Sequence, residues 1–221
     1  MPPLKGDYGI DLPADIHHII AAPINGKRTK KFYLALNSDK KGWTFNSEFV
    51  DKYANPYDET YINTILKPYQ SQGNLELLKG TPKHLTDAIG DFSVDYIKEK
   101  ANDENPFFLY VPFHAVHSDV TGRKDLTEKY LKRGLNPRAA EYASMIELLD
   151  QNVGKINDAL KDPNGDGDFS DDITNNTIFI FYSDNGGLRE NNPLKGKKGN
   201  LTEGGLRVPL IFRYPNVIKE N

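Results

Sequence analysis

Apolar residues recur with helical spacing in two segments of the chain. The segment TPKHLTDAIGDFSVDYIKEK, residues 81–100, begins with Thr81-Pro82 and ends with lysine, which predicts a capped amphipathic helix. The segment RAAEYASMIELLDQNVGKINDALKD, residues 138–162, repeats the spacing and predicts a second, longer helix. The predicted buried positions are Leu85, Ile89, Phe92, Tyr96 and Ile97 in the first helix and Met145, Leu148, Leu149, Val153, Ile156 and Leu160 in the second.

Three short, almost continuously apolar runs accompany these helices. They are PFFLYVPFHAVH, TIFIFYSDN and LRVPLIFRYP, and such runs are typical of strands covered on both faces. Helices that alternate with such strands predict an α/β fold with a mainly parallel sheet flanked by helices. Between the first run and the second helix the sequence predicts a polar loop. We interpret residues 1–80, where only KKFYLAL predicts a strand, as an irregular segment of the same domain that could carry substrate-side loops.

Composition narrows the possible partners. With 221 residues, the chain is long enough for one large domain, or two small ones, with a core. Its 28 Lys and Arg nearly balance its 31 Asp and Glu, so no broad charge favours nucleic acid or an anionic membrane surface. No stretch has the length of a membrane span, and the first residues lack the pattern of a signal peptide. The absence of cysteine excludes disulfides and thiolate metal sites within this chain.

Polar side chains end two of the predicted strands. His114 and His117 end one run, and Asp184 and Asn185 end the next. Ligands of such α/β sheets bind beyond the carboxyl ends of the strands. Carboxylate and amide oxygens are hard donors that suit Ca²⁺ or Mg²⁺, although Asp-Asn-Gly-Gly is also favoured in ordinary turns. The sequence leaves a metal site and a plain turn open.

A basic, glycine-rich loop follows the Asp-Asn pair. It contains Lys195, Lys197 and Lys198, with Arg189 just before it. Glycines let backbone N–H groups approach an anion closely, and an ammonium adds a compact positive charge, although a solvated surface loop has the same composition. Because this loop and the Asp-Asn pair follow one strand, together they could hold a metal-bound phosphate or sulfate ester. His117 could donate to a leaving oxygen, or it could be structural.

A second acidic segment, DPNGDGDFSDD, lies between the second helix and the next strand. Its acidic and amide residues alternate with glycine as in the opening of a calcium-binding loop, but position twelve is Ile173, which is not an acid. A structural Ca²⁺ and a plain acidic turn both remain open. The candidate ligands are Asp162, Asn164, Asp166 and Asp168.

The order of these motifs resembles the type I, formylglycine-dependent sulfatases, which are relatives of the alkaline phosphatases. The string SDNGG…NNPLKGKKGNLTEGGLRVPLIF is similar to the Asp-Asn-Gly segment of that family followed by its Lys-Gly and Glu-Gly-Gly-x-Arg-Val-Pro segments. The run PFFLYVPFHAVH resembles the family strand that ends in Ala-Pro-His, and HLTDAIGDFSVDYIKEK resembles the helix before it. The match covers about residues 81–215 in the family order.

This resemblance implies an alkaline-phosphatase-like fold and a site for a small sulfated substrate, expected to be a carbohydrate or an aryl sulfate. Asp184 and Asn185 would bind the metal, usually Ca²⁺ with Mg²⁺ as the alternative. Lys198 would contact the sulfate, and His117 would contact the sulfate or the leaving oxygen. The sequence departs from the family at Val116, where proline is frequent.

The family nucleophile is not found in this chain. Family members make formylglycine in a Cys/Ser-x-Pro-x-Arg motif, but no cysteine occurs here and no serine stands two positions before a proline. We therefore interpret residues 81–221 as the central part of an incomplete sulfatase domain, with exposed apolar sheet edges and no turnover alone. A periplasmic or secreted location is the hypothesis for the full-length protein. The alternatives are a phospho- or phosphonoester hydrolase of the same superfamily and a non-catalytic, calcium-stabilised binding module.

Overall fold

The computed structural model describes the backbone of three strands near the N-terminus, together with residues 53, 55–69, 72–117 and 120–218. The strands are β1 (Ile16–Pro23), β2 (Phe32–Leu36), β3 (Trp43–Phe45), β4 (Phe107–Tyr110), β5 (Phe179–Tyr182) and β6 (Leu210–Arg213). The helices are α1 (Glu59–Tyr61), α2 (Leu85–Lys100), α3 (Lys124–Lys132), α4 (Pro137–Lys161) and α5 (Glu203–Leu206). Short helical turns lie at Ile62–Leu66, Lys67–Tyr69, Leu75–Leu78, Phe169–Asp171 and Thr174–Asn176. Residues 1–15, which include most of the stretch that lacks a signal-peptide pattern, lie outside the described residues. No described helix is both long and apolar enough to cross a bilayer.

Two antiparallel sheets contain the described strands. One has the order β3-β2-β1-β4, with Pro23 of β1 opposite Phe107 of β4, and the other pairs β5 with β6. The sequence predicts mainly parallel pairing, but every described strand pair is antiparallel. The difference at β5 and β6 has a simple cause: residues 183–209 fold back beyond the end of β5, so that β6 returns in the opposite direction, whereas a parallel neighbour needs a crossover. Three strands also lie within residues 1–80, where the sequence predicts only one, at KKFYLAL.

Helices α2 and α4 pack together and confirm the two predicted helices. All five predicted apolar positions of α2 are buried, and in α4 four of six are buried, while Leu149 and Val153 are half-buried. The side chain of His84 caps α2 by accepting a hydrogen bond from the Thr86 amide at 3.1 Å, and Asn136 caps α4 in the same way. The structure has helix α3 where the sequence predicts a polar loop. The helix shows no apolar periodicity in the sequence, because Leu126 is the one apolar residue that it buries.

Strands β4 and β5 lie against this helical layer with one face. Phe107 and Phe179 pack on the cluster of Ile97, Ile156, Ala159 and Leu160, whereas Phe108 and Tyr182 on the other face are 55% and 53% exposed. The prediction that these strands are covered on both faces is therefore wrong for the described residues. The cause is that α2 and α4 cover a single face, so side chains alternate between buried and exposed.

Within this helical layer, one buried carboxylate connects the helices through hydrogen bonds. Asp87 of α2 is fully buried and accepts hydrogen bonds from Tyr57 at 2.7 Å, Arg123 at 3.0 Å and Lys155 at 3.1 Å. Arg123, next to the start of α3, also donates to Asp125 at 2.7 Å. Burial alone would raise the pKa of Asp87, but Lys155 and Arg123 outweigh burial and hold the pKa of that carboxyl well below its usual range. Asp87 therefore stays ionised and joins α2, α3 and α4.

We expect Asp87→Asn to lower the free energy of unfolding by about 3–5 kcal/mol, because it leaves Lys155 and Arg123 buried with less opposing charge. The folded-state pKa of Asp87 lies below the unfolded value of about 3.9, so its contribution is fully present above about pH 4 and declines as the pH falls toward the folded-state pKa. The variant should thus show a weaker loss of stability in acid. Urea unfolding between pH 3 and pH 7 measures both effects.

The matched control is Asp150→Ala, because Asp150 is exposed on α4. This change should alter the free energy of unfolding by no more than about 0.5 kcal/mol. Equal effects of the two substitutions would contradict the role assigned to Asp87.

Candidate functional site

The ends of β4 and β5 meet next to Asp184. Tyr110 ends β4 and Tyr182 ends β5. Burial is the largest cause that raises the pKa of Tyr110, and the neighbouring Tyr182 and the carboxylate of Asp184 raise the pKa further. Asp184 follows Tyr182 by two residues and therefore belongs to this same junction. The predicted position of the Asp-Asn pair, at the point where two strands end, agrees with this arrangement.

Asp184 and Asn185 offer oxygen donors to a cation. The side chain of Asp184 is exposed. The side-chain nitrogen of Asn185 donates to the Gly186 carbonyl at 3.1 Å, so the side-chain oxygen of Asn185 is the atom that could bind a cation. In the part of the chain that the structure describes, no three His, Asp or Glu side chains form a group that could hold a metal. The pair therefore fits a hard cation in its chemistry and supplies two of the about six to eight oxygens that Ca²⁺ takes.

Backbone hydrogen bonds lock the Asp-Asn segment to the basic loop. The Lys198 amide donates to the Gly187 carbonyl at 2.9 Å, so the lysine is fixed beside the residues that directly follow Asn185. The Gly186 amide donates to the Gly205 carbonyl at 2.9 Å, which attaches α5 to the same place. We call residues 184–187, 195–200 and 202–206 together the glycine lock. Through this lock, Asp184, Asn185 and Lys198 occupy one compact unit.

Glycine is required at the centre of the glycine lock. A methyl group on Gly186 would lie 2.0 Å from the Gly204 carbonyl oxygen, and one on Gly204 would lie 2.1 Å from the Gly196 carbonyl oxygen. On Gly205 a methyl group would lie 2.0 Å from the Asn200 carbonyl oxygen. The neighbours in each case are rigid backbone atoms, so no side chain can be accommodated without displacement. Close backbone packing therefore explains Gly186 of the NGG motif and both glycines of the EGG motif.

The cations of this region have different surroundings. Arg189 donates to the Arg138 carbonyl at 3.0 Å and lies over the Tyr142 ring at 5.1 Å, so it attaches the loop to α4 instead of facing an anion. The ammonium of Lys197 lies 3.9 Å from Glu190. Lys198 is half-buried and takes part in none of the ion pairs found between described residues, so its charge is available to an anion.

His114 and His117 lie together beyond the end of β4. Their ring centroids are 5.2 Å apart, His117 is exposed, and the Ala115–Val116 peptide bond between them is cis. The contact that joins the two strand ends runs through Tyr110 and Tyr182. The role of His117 toward a bound anion stays a prediction.

The acidic segment after α4 forms a tight series of turns. The carboxylate of Asp162 accepts hydrogen bonds from the amides of Gly165 at 2.7 Å and Gly167 at 2.9 Å. Asn164 accepts from the Asp166 amide at 2.8 Å, and Asp166 accepts from the Asp168 amide at 2.7 Å. These bonds are those of an acidic turn, and calcium binding by Asp162, Asn164, Asp166 and Asp168 stays a prediction.

The sequence does not predict the tyrosine pair at the strand ends or the part played by Asn191. Asn191 donates through its side chain to the Gly204 carbonyl at 2.5 Å and through its backbone amide to the Gly196 carbonyl at 3.3 Å. The one signal available in the sequence is its position between the NGG and KGKKG segments. This position in the sequence indicates a role for Asn191 only once the structure shows that α5 packs back against the loop.

We expect Gly204→Ala to loosen the glycine lock and to cost about 1–3 kcal/mol, the usual penalty for forcing a methyl group into packed atoms. Amide hydrogen exchange should become faster at Gly186 and Lys198. The control is Gly154→Ala within α4, where a methyl group would lie 3.4 Å from the Tyr69 ring and should stabilise the helix by about 0.5–1 kcal/mol. Unchanged exchange in the Gly204 variant would show that the contact is not tight.

Comparison with known proteins identifies the family. The sulfatase family model matches residues 25–221. A sulfatase from Formosa agariphila is 49% identical over 219 residues, which cover 96% of this chain and 40% of that protein. Arylsulfatase J from Mus musculus is 35% identical over 125 residues, which cover 52% of this chain and 19% of that protein.

A solved structure shows the same relationship in three dimensions. It is the crystal structure of Ps i-CgsB in complex with k-i-k-neocarrahexaose, with 33% identity and a TM-score of 0.53 over 62% of this chain and 29% of that one. This likeness confirms the expected α/β, alkaline-phosphatase-like fold. The chain thus spans less than half the length of these relatives. With a family model that matches nearly all of its length, the chain belongs to the sulfatase family.

Proposed function

We propose that this chain supplies metal-binding and sulfate-binding residues of an enzyme that hydrolyses sulfate esters. The observation that carries the proposal is the hydrogen bond from the Lys198 amide to the Gly187 carbonyl. It holds the backbone of Lys198 beside the segment that carries two hard oxygen donors, next to the ends of β4 and β5. A site that combines ligands for a cation with a positive charge for an anion suits an ester of a tetrahedral oxyanion.

Each residue has a distinct part in this proposal. Asp184 and Asn185 hold a divalent metal, Ca²⁺ or in its place Mg²⁺, which when bound stabilises negative charge on the sulfate oxygens. Lys198 places an ammonium against a sulfate oxygen, where a fixed charge lowers the energy of the charged transition state. His117 donates a proton to the alcohol oxygen that leaves. The formylglycine nucleophile of the family has no counterpart motif in this sequence, so these residues provide the electrostatic part of the reaction.

The substrate class that we propose is a sulfated carbohydrate. Its support is the similar solved structure, which is a complex with k-i-k-neocarrahexaose. With this substrate class we propose a periplasmic or secreted location for the full-length protein. The second metal that we propose is a structural Ca²⁺ at the turn of Asp162, Asn164, Asp166 and Asp168.

Calcium titration by calorimetry tests the two metal sites separately. Asp184→Ala should abolish one binding event, because it removes the charged ligand of the pair, and Asp166→Ala should abolish the other. Asp150→Ala, an exposed residue of α4, is the control and should change neither. Loss of calcium binding in the Asp166 variant alone would contradict the metal site at Asp184 and favour the calcium-stabilised binding module.

Inorganic sulfate, added to the calcium-saturated chain, tests the anion site. Lys198→Ala should raise the dissociation constant about tenfold or more, since a charge-assisted contact is worth about 1.5–3 kcal/mol. The control is Lys132→Ala, because Lys132 is exposed on α3 and pairs with Glu128 at 3.2 Å. Equal sulfate binding by both variants would contradict the proposal. Turnover of 4-nitrophenyl sulfate by this chain would contradict the interpretation that it lacks the nucleophile.

A further inference from the structure

Asn191 lies between α5 and Gly187, the residue whose carbonyl accepts the hydrogen bond from the Lys198 amide. On one side its side-chain nitrogen donates to the Gly204 carbonyl at 2.5 Å, and its backbone amide donates to the Gly196 carbonyl at 3.3 Å. On the other side its side-chain oxygen lies so near Gly187 that a methyl group there would be 2.8 Å away. Gly187 is the residue whose carbonyl accepts the Lys198 amide.

The backbone around Asn191 is held as firmly as its side chain. Its own carbonyl accepts the Leu194 amide at 2.8 Å, so a tight turn follows it directly. The residue is half-buried, and its side-chain amide lies between Gly187, in the segment after β5, and Gly204 of α5. A side chain that is fixed by its own backbone and bridges two segments loses little additional entropy when it makes these contacts.

We propose that Asn191 is a positioning residue that sets the distance between Lys198 and the metal pair of Asp184 and Asn185. It acts through the glycine lock and touches neither cation nor sulfate. This inference rests on the function proposed above and adds a residue to which neither the motifs nor the relatives assign a role. Without the bridge, α5 and the basic loop lose one attachment near Gly187, and the backbone at Lys198 is held less firmly.

The chemistry of the bridge requires an amide. Its nitrogen meets a carbonyl oxygen, so a carboxylate at this place would set oxygen against the Gly204 oxygen. A methyl group would remove the bridge altogether. Asn191→Asp therefore has nearly the same shape without the donor, and Asn191→Ala lacks both shape and donor.

The experiment measures Ca²⁺ and inorganic sulfate binding to the full chain and to these two variants. Both variants should bind sulfate about tenfold more weakly, the effect expected for a lost hydrogen bond together with a displaced charge, while the Ca²⁺ affinity of the Asp184 site stays within about twofold. A residue needed only for general stability would weaken both affinities together. The control is Asn216→Ala, which removes a similar side-chain bond to the Asn175 carbonyl at 3.1 Å and should leave sulfate binding unchanged.

Hydrogen exchange supplies a second measurement that needs no ligand. The Lys198 and Gly204 amides should exchange faster in both Asn191 variants and not in the Asn216 variant. If the wild-type chain binds sulfate and Asn191→Asp binds it equally well, this inference is overturned while the proposed function stands. If the wild-type chain binds no sulfate, the proposed function fails, and unchanged exchange at Lys198 would then also exclude the bridge itself.

Discussion

Contact between backbone atoms at glycine is the constraint on which the candidate site depends. Gly186, Gly204 and Gly205 approach carbonyl oxygens more closely than any residue with a side chain could. The hydrogen bonds that this approach permits join the backbone at Lys198 to the segment that carries Asp184 and Asn185. Rigidity matters here because a charge stabilises an anion well only when its place is fixed before the anion arrives.

The glycine lock depends in turn on the layer beneath it. Strands β4 and β5 end beside each other because both lie on the face formed by α2 and α4. Those helices are held together by the ionised Asp87 and its cationic partners, Arg123 and Lys155. A buried ion pair contributes little net stability compared with apolar packing, but it strongly penalises any arrangement that leaves one charge without its partner. We infer that this network selects one packing of the helices and thereby fixes where the strands end.

Patterns of short range account for most of what the sequence predicts correctly. The helical spacing of Leu85, Ile89 and Phe92 identifies α2, and the apolar runs identify β4, β5 and β6, because burial of one face imposes those periods. Antiparallel pairing could not be predicted, since it depends on how residues 183–209 return. The partners of buried polar residues are equally hard to predict. Asn152 lies four residues after Leu148 and four before Ile156, on the apolar face of α4, yet periodicity does not reveal that it donates to Asp87.

The same limit applies to the site. The sequence places Asp184, Asn185 and Lys198 within one loop, and the structure adds the backbone hydrogen bond from Lys198 to Gly187, two residues after Asn185. In the sequence, Arg189 is as good a candidate for an anion-binding cation as the lysines. In the structure, the Tyr142 ring and the Arg138 carbonyl hold it on α4. Asn191 has no chemical signal of its own, because its part arises from the return of α5.

Net charge around the anion determines which ester such a site prefers. A sulfate monoester carries one negative charge, whereas a phosphate monoester carries about 1.5 to 2 near neutral pH. Asp184, a divalent cation and Lys198 together sum to two positive charges, which would attract the more highly charged phosphate more strongly. Each further carboxylate ligand on the metal lowers that sum and weakens the preference for phosphate. No group of three His, Asp or Glu side chains that could hold a metal occurs among the described residues, so we infer that the preference for sulfate proposed above requires further acidic ligands on the metal.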